Sequence, residues 1–185
     1  MSASTISSSQ TLTQAQAETY FTAARNANPP QAGITIAAGI TVTLSGSFTL
    51  DATDEYFIIG GSGAILDGDD NTVTVTVANY PGLVKNGTNS ASGFNCTIKN
   101  VIVAASGSGS QTAIWPAVAT QPGWIGQQYF SKTATSTITR CSSTGDIGPD
   151  SGGIVGWNAA THSGNLTISY CFSTGAISGQ SGGGI

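Results

Sequence analysis

The chain has 185 residues, of which 25 are Gly, 23 Ser and 25 Thr, and only 8% are charged. Five Lys and Arg stand against nine Asp and Glu, a net charge of −4, which leaves no basic face for nucleic acid phosphates. No window approaches the roughly eighteen apolar residues of a membrane span, and Met1-Ser2-Ala3-Ser4-Thr5 lacks the cationic start and apolar core of a secretory signal. Neither nucleic acid nor membrane is therefore expected as a partner. Low net charge with abundant Thr, Val and Ile argues against disorder and for β-structure.

Residues 1–32 read as an N-terminal segment holding one helix. Thr13 to Ala27 carries Ala15, Ala17, Tyr20, Phe21 and Ala24 at helical spacing, with Thr13 and Gln16 as a capping box and Asn28-Pro29-Pro30 as the stop. From residue 33 onward the pattern changes to period two. Ile34 and Ile36, then Ile40, Val42 and Leu44, then Phe48 and Leu50 alternate with small polar residues, as do Val73, Val75 and Val77. Gly60-Gly61-Ser62-Gly63, Asp67-Gly68-Asp69-Asp70-Asn71, Asn86-Gly87 and Ser106 to Ser110 supply the breaks between these short strands.

An internal repeat organises the second half. Residues 136–155 align without a gap on 166–185 at an offset of 30, and ten of the twenty positions are identical, among them Ile138/Ile168, Cys141/Cys171, Gly145/Gly175 and Ile147/Ile177. An older copy shows in Gly123-Trp124-Ile125-Gly126, thirty residues before Gly153-Ile154-Val155-Gly156, with a ten-residue insertion placed within 106–121. Repeats of this length are stacked supersecondary units that bury one another's apolar faces. The expected fold is all-β: a right-handed parallel β-helix over 33–185, with clear repeats in 123–185 and the N-terminal helix as a cap. Ile138 is then expected over Ile168 and Ile147 over Ile177, about 4.8 Å apart. Cys141 and Cys171 are expected as a ladder of thiols, since side chains that point in parallel close a disulfide poorly. Three Cys without a CxxC pair signal no zinc site. The repeat breaks off where its previous copy continues into Val155-Gly156-Trp157, so either more repeats or a docking partner is expected there.

The core of the repeat, Cys141-Ser142-Ser143-Thr144-Gly145-Asp146-Ile147 followed by Gly152 to Gly156, resembles GLUG-type repeats of bacterial surface proteins and of β-helix proteins in giant DNA viruses. The resemblance implies a scaffold, adhesion or surface role, a virion or cell-surface location for a chain made in the cytoplasm, and no set of catalytic residues.

The acidic residues are the place to look for chemistry, because β-helix enzymes commonly cleave polysaccharides with paired carboxylates. Asp67, Asp69 and Asp70 are the candidates, weighed against plain turn chemistry around Gly68. Asp51, Asp54 and Glu55 read as a solvated corner. The single histidine, His162, reads as a surface loop residue, and no cofactor or metal is implied. Among the aromatics, Trp124 aligns with the core position Ile154, which leaves Trp115 and Trp157 as candidates for stacking on a sugar or a protein partner. The expected function is a structural module that forms homo-oligomers, head-to-tail and fibrous if its ends pair or trimeric if its flat faces pair, or packs on other structural proteins. A polysaccharide lyase, a glycosidase and a carbohydrate-binding module are the alternatives.

Overall fold

The computed structural model describes residues 4–106, 121–178 and 181–185. Two short strands, β1 (Thr5–Ile6) and β2 (Gln10–Leu12), precede the helix α1 (Gln14–Arg25). Then come β3 (Ile34–Ile36), β4 (Thr41–Leu44), β5 (Phe48–Leu50), β6 (Phe57–Ile59), β7 (Ala64–Asp67), β8 (Thr72–Val75) and β9 (Val84–Lys85). They are followed by β10 (Cys96–Lys99), β11 (Ile102–Ala105), β12 (Thr135–Thr139), β13 (Ser142–Ser143), β14 (Asn165–Ser169) and β15 (Phe172–Ser173).

These strands divide among three sheets. The first has the order β1-β3-β6-β9, the second β14-β12-β10-β7-β4-β2, and the third β15-β13-β11-β8-β5. Every pairing is parallel, and the chain passes from first to second to third sheet before returning. Isolated parallel bridges Val84↔Gly126 and Gly126↔Val155 continue the first sheet's side through the repeats.

The expectation of an all-β chain forming one right-handed parallel β-helix is corrected. The chain forms three separate parallel sheets of four, six and five strands together with a twelve-residue helix, an α/β-like layered arrangement rather than a single solenoid. Two physical causes stand behind the difference. Left-handed residues at Asp70, Asn100, Arg140 and Tyr170, with φ between 53° and 58°, turn the backbone between the second and third sheets, so that the strands on either side of each corner lie in different sheets. The helix, moreover, contributes Ala17, Phe21 and Ala24 as buried side chains beside the strand residues. The segment 1–32 also holds β1 and β2, each an edge strand of its sheet; at two and three residues they are too short for their alternation to show in sequence.

Local chemistry explains the elements. Thr13 takes an extended conformation at the N-cap, its hydroxyl accepts from the Gln16 amide, and the Gln16 side chain accepts from the Thr13 amide, a complete capping box. The strands alternate buried and part-exposed residues, so each sheet turns one face inward: Val42, Leu66, Ile98 and Ile138 from the second sheet meet Ile36, Ile59, Val73 and Val103 in one core. The repeat register is Ile138 beside Ile168 across β12 and β14, and Ile147 bridges Ile177. Like side chains stack, each rung burying the one before it.

Candidate functional site

The acidic corner follows from register. Asp67 lies beside Lys99 across β7 and β10, while Asp70 donates its amide to Asn100 O across the next corner. The earlier corner therefore spans four residues where the later one spans two, with Gly68 and Asp69 extra. Gly68 has no room for a side chain, since a Cβ there would lie 2.2 Å from Asn100 O. Asp67 fastens this widened turn: one carboxylate oxygen accepts from the Asp69 amide (3.1 Å) and the Asn100 side chain (2.9 Å), and the other meets Lys99 Nζ at 2.8 Å. Partial burial raises the Asp67 pKa, but the bonds from Lys99, Asn100 and Asp69 outweigh it and hold the carboxyl below its ordinary value. Asp69 and Asp70 occupy left-handed turn positions with φ of 50° and 58°. This is the geometry of a braced corner, and an acid held ionised by three donors is poorly suited to give up a proton.

The second acidic cluster differs from the solvated corner its sequence suggests. Arg25, at the end of α1, donates to Asp54 through Nε and Nη2 and to Glu55 through Nη2 at 2.6 Å. Glu55 is buried, and its second oxygen accepts from the amides of Asp51 and Ala52. The cluster locks the helix to the sheets.

The cysteines stack as thiols. Cys141 Sγ points to Thr139 O and Cys171 Sγ to Ser169 O, the same carbonyl one rung on, while the Cys141 amide donates to Cys171 Sγ. All three cysteines are free. Burial pushes the Cys96 thiol up to about 11 and the Cys141 thiol up to about 12, so neither supplies thiolate at neutral pH. With Cys171 alone half-exposed, one thiol of three should react with a disulfide reagent at pH 8 in the folded protein and all three after denaturation. Rapid native reaction of two or more would contradict the buried positions.

Trp124 lies in the core, as its alignment suggests, and its Nε1 donates to Gly145 O at 3.0 Å. His162 is exposed in the loop before β14, and Trp115 lies outside the described residues. Among the described residues no three His, Cys, Asp or Glu converge on a metal position, and no helix is long and apolar enough to cross a membrane.

Trp157 is 56% exposed and lines a shallow groove of about 300 Å³ with Asp150, Asn158 and Ile185. It does not stand alone. Tyr170 (83% exposed), Phe172 (57%) and Ile177 (54%) lie on the same outermost rung, where β14 and β15 are the edges of the second and third sheets. Ile147, one rung inward, is fully buried, so the exposure of Ile177 comes from its place in the stack and not from its residue type. The sequence reading expects a raw edge at this end but misses Tyr170, Phe172 and Ile177 as its exposed side chains, because an alignment at offset 30 treats equivalent positions alike. A signal was nonetheless available: residues 151–185 contain no Asp, Glu, Lys or Arg. Edge strands are ordinarily guarded by charge, proline or a bulge, and this one has neither charge nor proline. The chain matches no family model, no curated protein and no solved structure.

Proposed function

We propose that this chain is a structural interaction module that associates with copies of itself, as a component of a virion or cell surface. The observation that carries the reading is the segment 151–185, which contains no Asp, Glu, Lys or Arg and exposes more than half of the Trp157, Tyr170, Phe172 and Ile177 surfaces. Aromatic side chains are the usual anchors of protein interfaces. The resemblance of Cys141–Ile147 and Gly152–Gly156 to GLUG-type repeats points the same way. Support also comes from the acidic side chains. Asp54, Glu55 and Asp67, the acids with the richest bonding, all brace corners and face partners within the chain.

Sedimentation velocity across a concentration series tests the reading. The mass should rise above 18.5 kDa with concentration. Because the exposed side chains of Trp157, Tyr170, Phe172 and Ile177 carry no charge, the association should depend only weakly on sodium chloride between about 50 and 500 mM and be stronger in sulfate. A mass of 18.5 kDa at every concentration would sink the proposal. So would turnover of a polysaccharide that Asp67→Ala abolishes, the outcome that defines the lyase or glycosidase alternative.

A further inference from the structure

Charge is spread unevenly along this chain. Residues 1–70 hold seven of the nine acidic residues, whereas residues 71–145 contain Lys85, Lys99, Lys132 and Arg140 and no Asp or Glu. Three of these four cations are accounted for by the fold. Lys99 meets Asp67, Lys132 Nζ donates to Asn89 O at 2.7 Å, and Arg140 is exposed at a left-handed corner. Lys85 differs: among the described residues its Nζ makes neither an ion pair nor a hydrogen bond.

Lys85 lines a cleft inside the stack. In β9, Val84 turns into the core and Lys85 turns outward. The strand pairs with β6 on one side and is bridged through Val84 to Gly126 on the other, and Gly126 is bridged in turn to Val155. The cleft holds about 180 Å³ between Pro81, Lys85, Pro122, Gln127 and Tyr129. Gln127 Nε2 donates to Gly82 O at 2.9 Å, which fixes the amide and leaves its Oε1 as an acceptor. Gly87 brings the Lys132 stem close as well, since a Cβ on Gly87 would lie 3.4 Å from Lys132 Cβ. The neighbourhood is positive and contains no acid of its own segment.

Each part of the cleft suits a different part of one ligand. An ammonium without a carboxylate partner is complementary to an anion, and a charge-assisted bond to it is the strongest contact the cleft offers. The Tyr129, Pro81 and Pro122 rings are apolar faces for the C–H side of a sugar, while Gln127 Oε1 accepts from a hydroxyl. The volume falls below the roughly 300–1,000 Å³ of pockets for drug-sized ligands and is on the scale of a single sugar ring. A phosphodiester backbone asks instead for a row of cations, and only Lys85 and Lys132 stand here. We infer that this cleft binds one carboxylated sugar residue of an acidic polysaccharide, with the carboxylate on Lys85 and the ring against Tyr129. The site adds a ligand to the module proposed above and does not depend on its self-association.

Titration calorimetry of the full chain with trigalacturonate and with its uncharged methyl ester tests the site. The acid should bind with a Kd of about 0.1–1 mM, at least about tenfold tighter than the ester, and more weakly as sodium chloride rises from about 50 to 500 mM. Lys85→Gln should erase the preference for the acid and leave the thermal midpoint unchanged. Tyr129→Asn, chosen because asparagine tolerates the φ of 61° at this position, should weaken binding of the acid at least about tenfold. Equal binding of acid and ester, an affinity that Lys85→Gln leaves intact, or no binding at about 10 mM would overturn the inference. So would binding of inorganic sulfate or of a polyglutamate peptide as tight as that of the sugar and indifferent to Tyr129→Asn, the marks of a bare anion site or an acidic protein partner. Sedimentation of the same samples keeps the two proposals apart. A chain that associates but takes no sugar would overturn the sugar site alone, and one that binds sugar as an 18.5 kDa monomer would overturn self-association alone.

Discussion

Gly145→Ala should lower the thermal midpoint by about 6–12 °C at fixed protein concentration, a loss of about 3 kcal/mol in a chain of this size. The reason is one contact. A Cβ on Gly145 would lie 2.1 Å from Trp124 Cζ2 and 2.4 Å from Cε2, with the indole 1% exposed and its Nε1 bonded to the Gly145 carbonyl. The ring has no free end to swing away, so the added methyl must displace either the core or the corner. The next rung explains how the effect can be isolated: Ile154 stands where the earlier copy has Trp124. Trp124→Ile removes the atoms the methyl would strike, so Gly145→Ala in that background should cost about 1 kcal/mol or less, giving a coupling near 2 kcal/mol in the double-mutant cycle. Calorimetry of the four proteins decides it. Additive losses would show that Gly145 is needed for its backbone alone.

Much of the packing was legible because a repeat is a statement about neighbours. The identity of Ile138 with Ile168 and Ile147 with Ile177 implied the pairings found between them. The Thr13 to Gln16 spacing likewise implied the capping box. What the repeat leaves out is how the path between equivalent residues is divided. The corners that separate the sheets are held by left-handed Asp70, Asn100, Arg140 and Tyr170, four different residue types whose shared conformation comes from stacking and leaves no common letter in the sequence. The helix was legible as a helix, but Phe21 and Ala17 joining the core, and Gln14 closing the β5 edge, are long-range contacts that local periodicity does not encode. The candidate site suffered most. Trp157 was visible as an aromatic residue in a repeat, whereas Tyr170, Phe172 and Ile177 become a surface only through their position on the outermost rung.

The corner between α1 and the strands should set the acid limit of stability. Bonds from Arg25 hold the Asp54 carboxyl below its ordinary 3.8, and burial only partly offsets them. The sign follows from linkage: a carboxyl with a depressed folded pKa contributes stability at neutral pH, and that contribution is lost as the pH falls through the folded value. Asp67, held down by Lys99 and Asn100, adds to the same slope. The thermal midpoint should therefore stay nearly flat from pH 7 to about pH 5 and fall below about pH 4. Arg25→Ala removes the partner of both acids. Because the Arg25 and Asp54 side chains are about one-third exposed, water takes over part of their interaction; Glu55, with its side chain 1% exposed, is left buried with only the Asp51 and Ala52 amides. We expect a loss of about 2 kcal/mol at pH 7, smaller than for a fully buried pair, and a visibly shallower decline below pH 4. Arg25→Ala with Glu55→Gln should recover part of the loss, since a neutral amide no longer strands a charge in the core. Midpoints for the three proteins at pH 7, 5, 4 and 3 separate the alternatives. A single-variant loss that the second substitution deepens, or an unchanged acid slope, would mean that α1 is held by the packing of Phe21 and its neighbours and that the ion pairs are incidental.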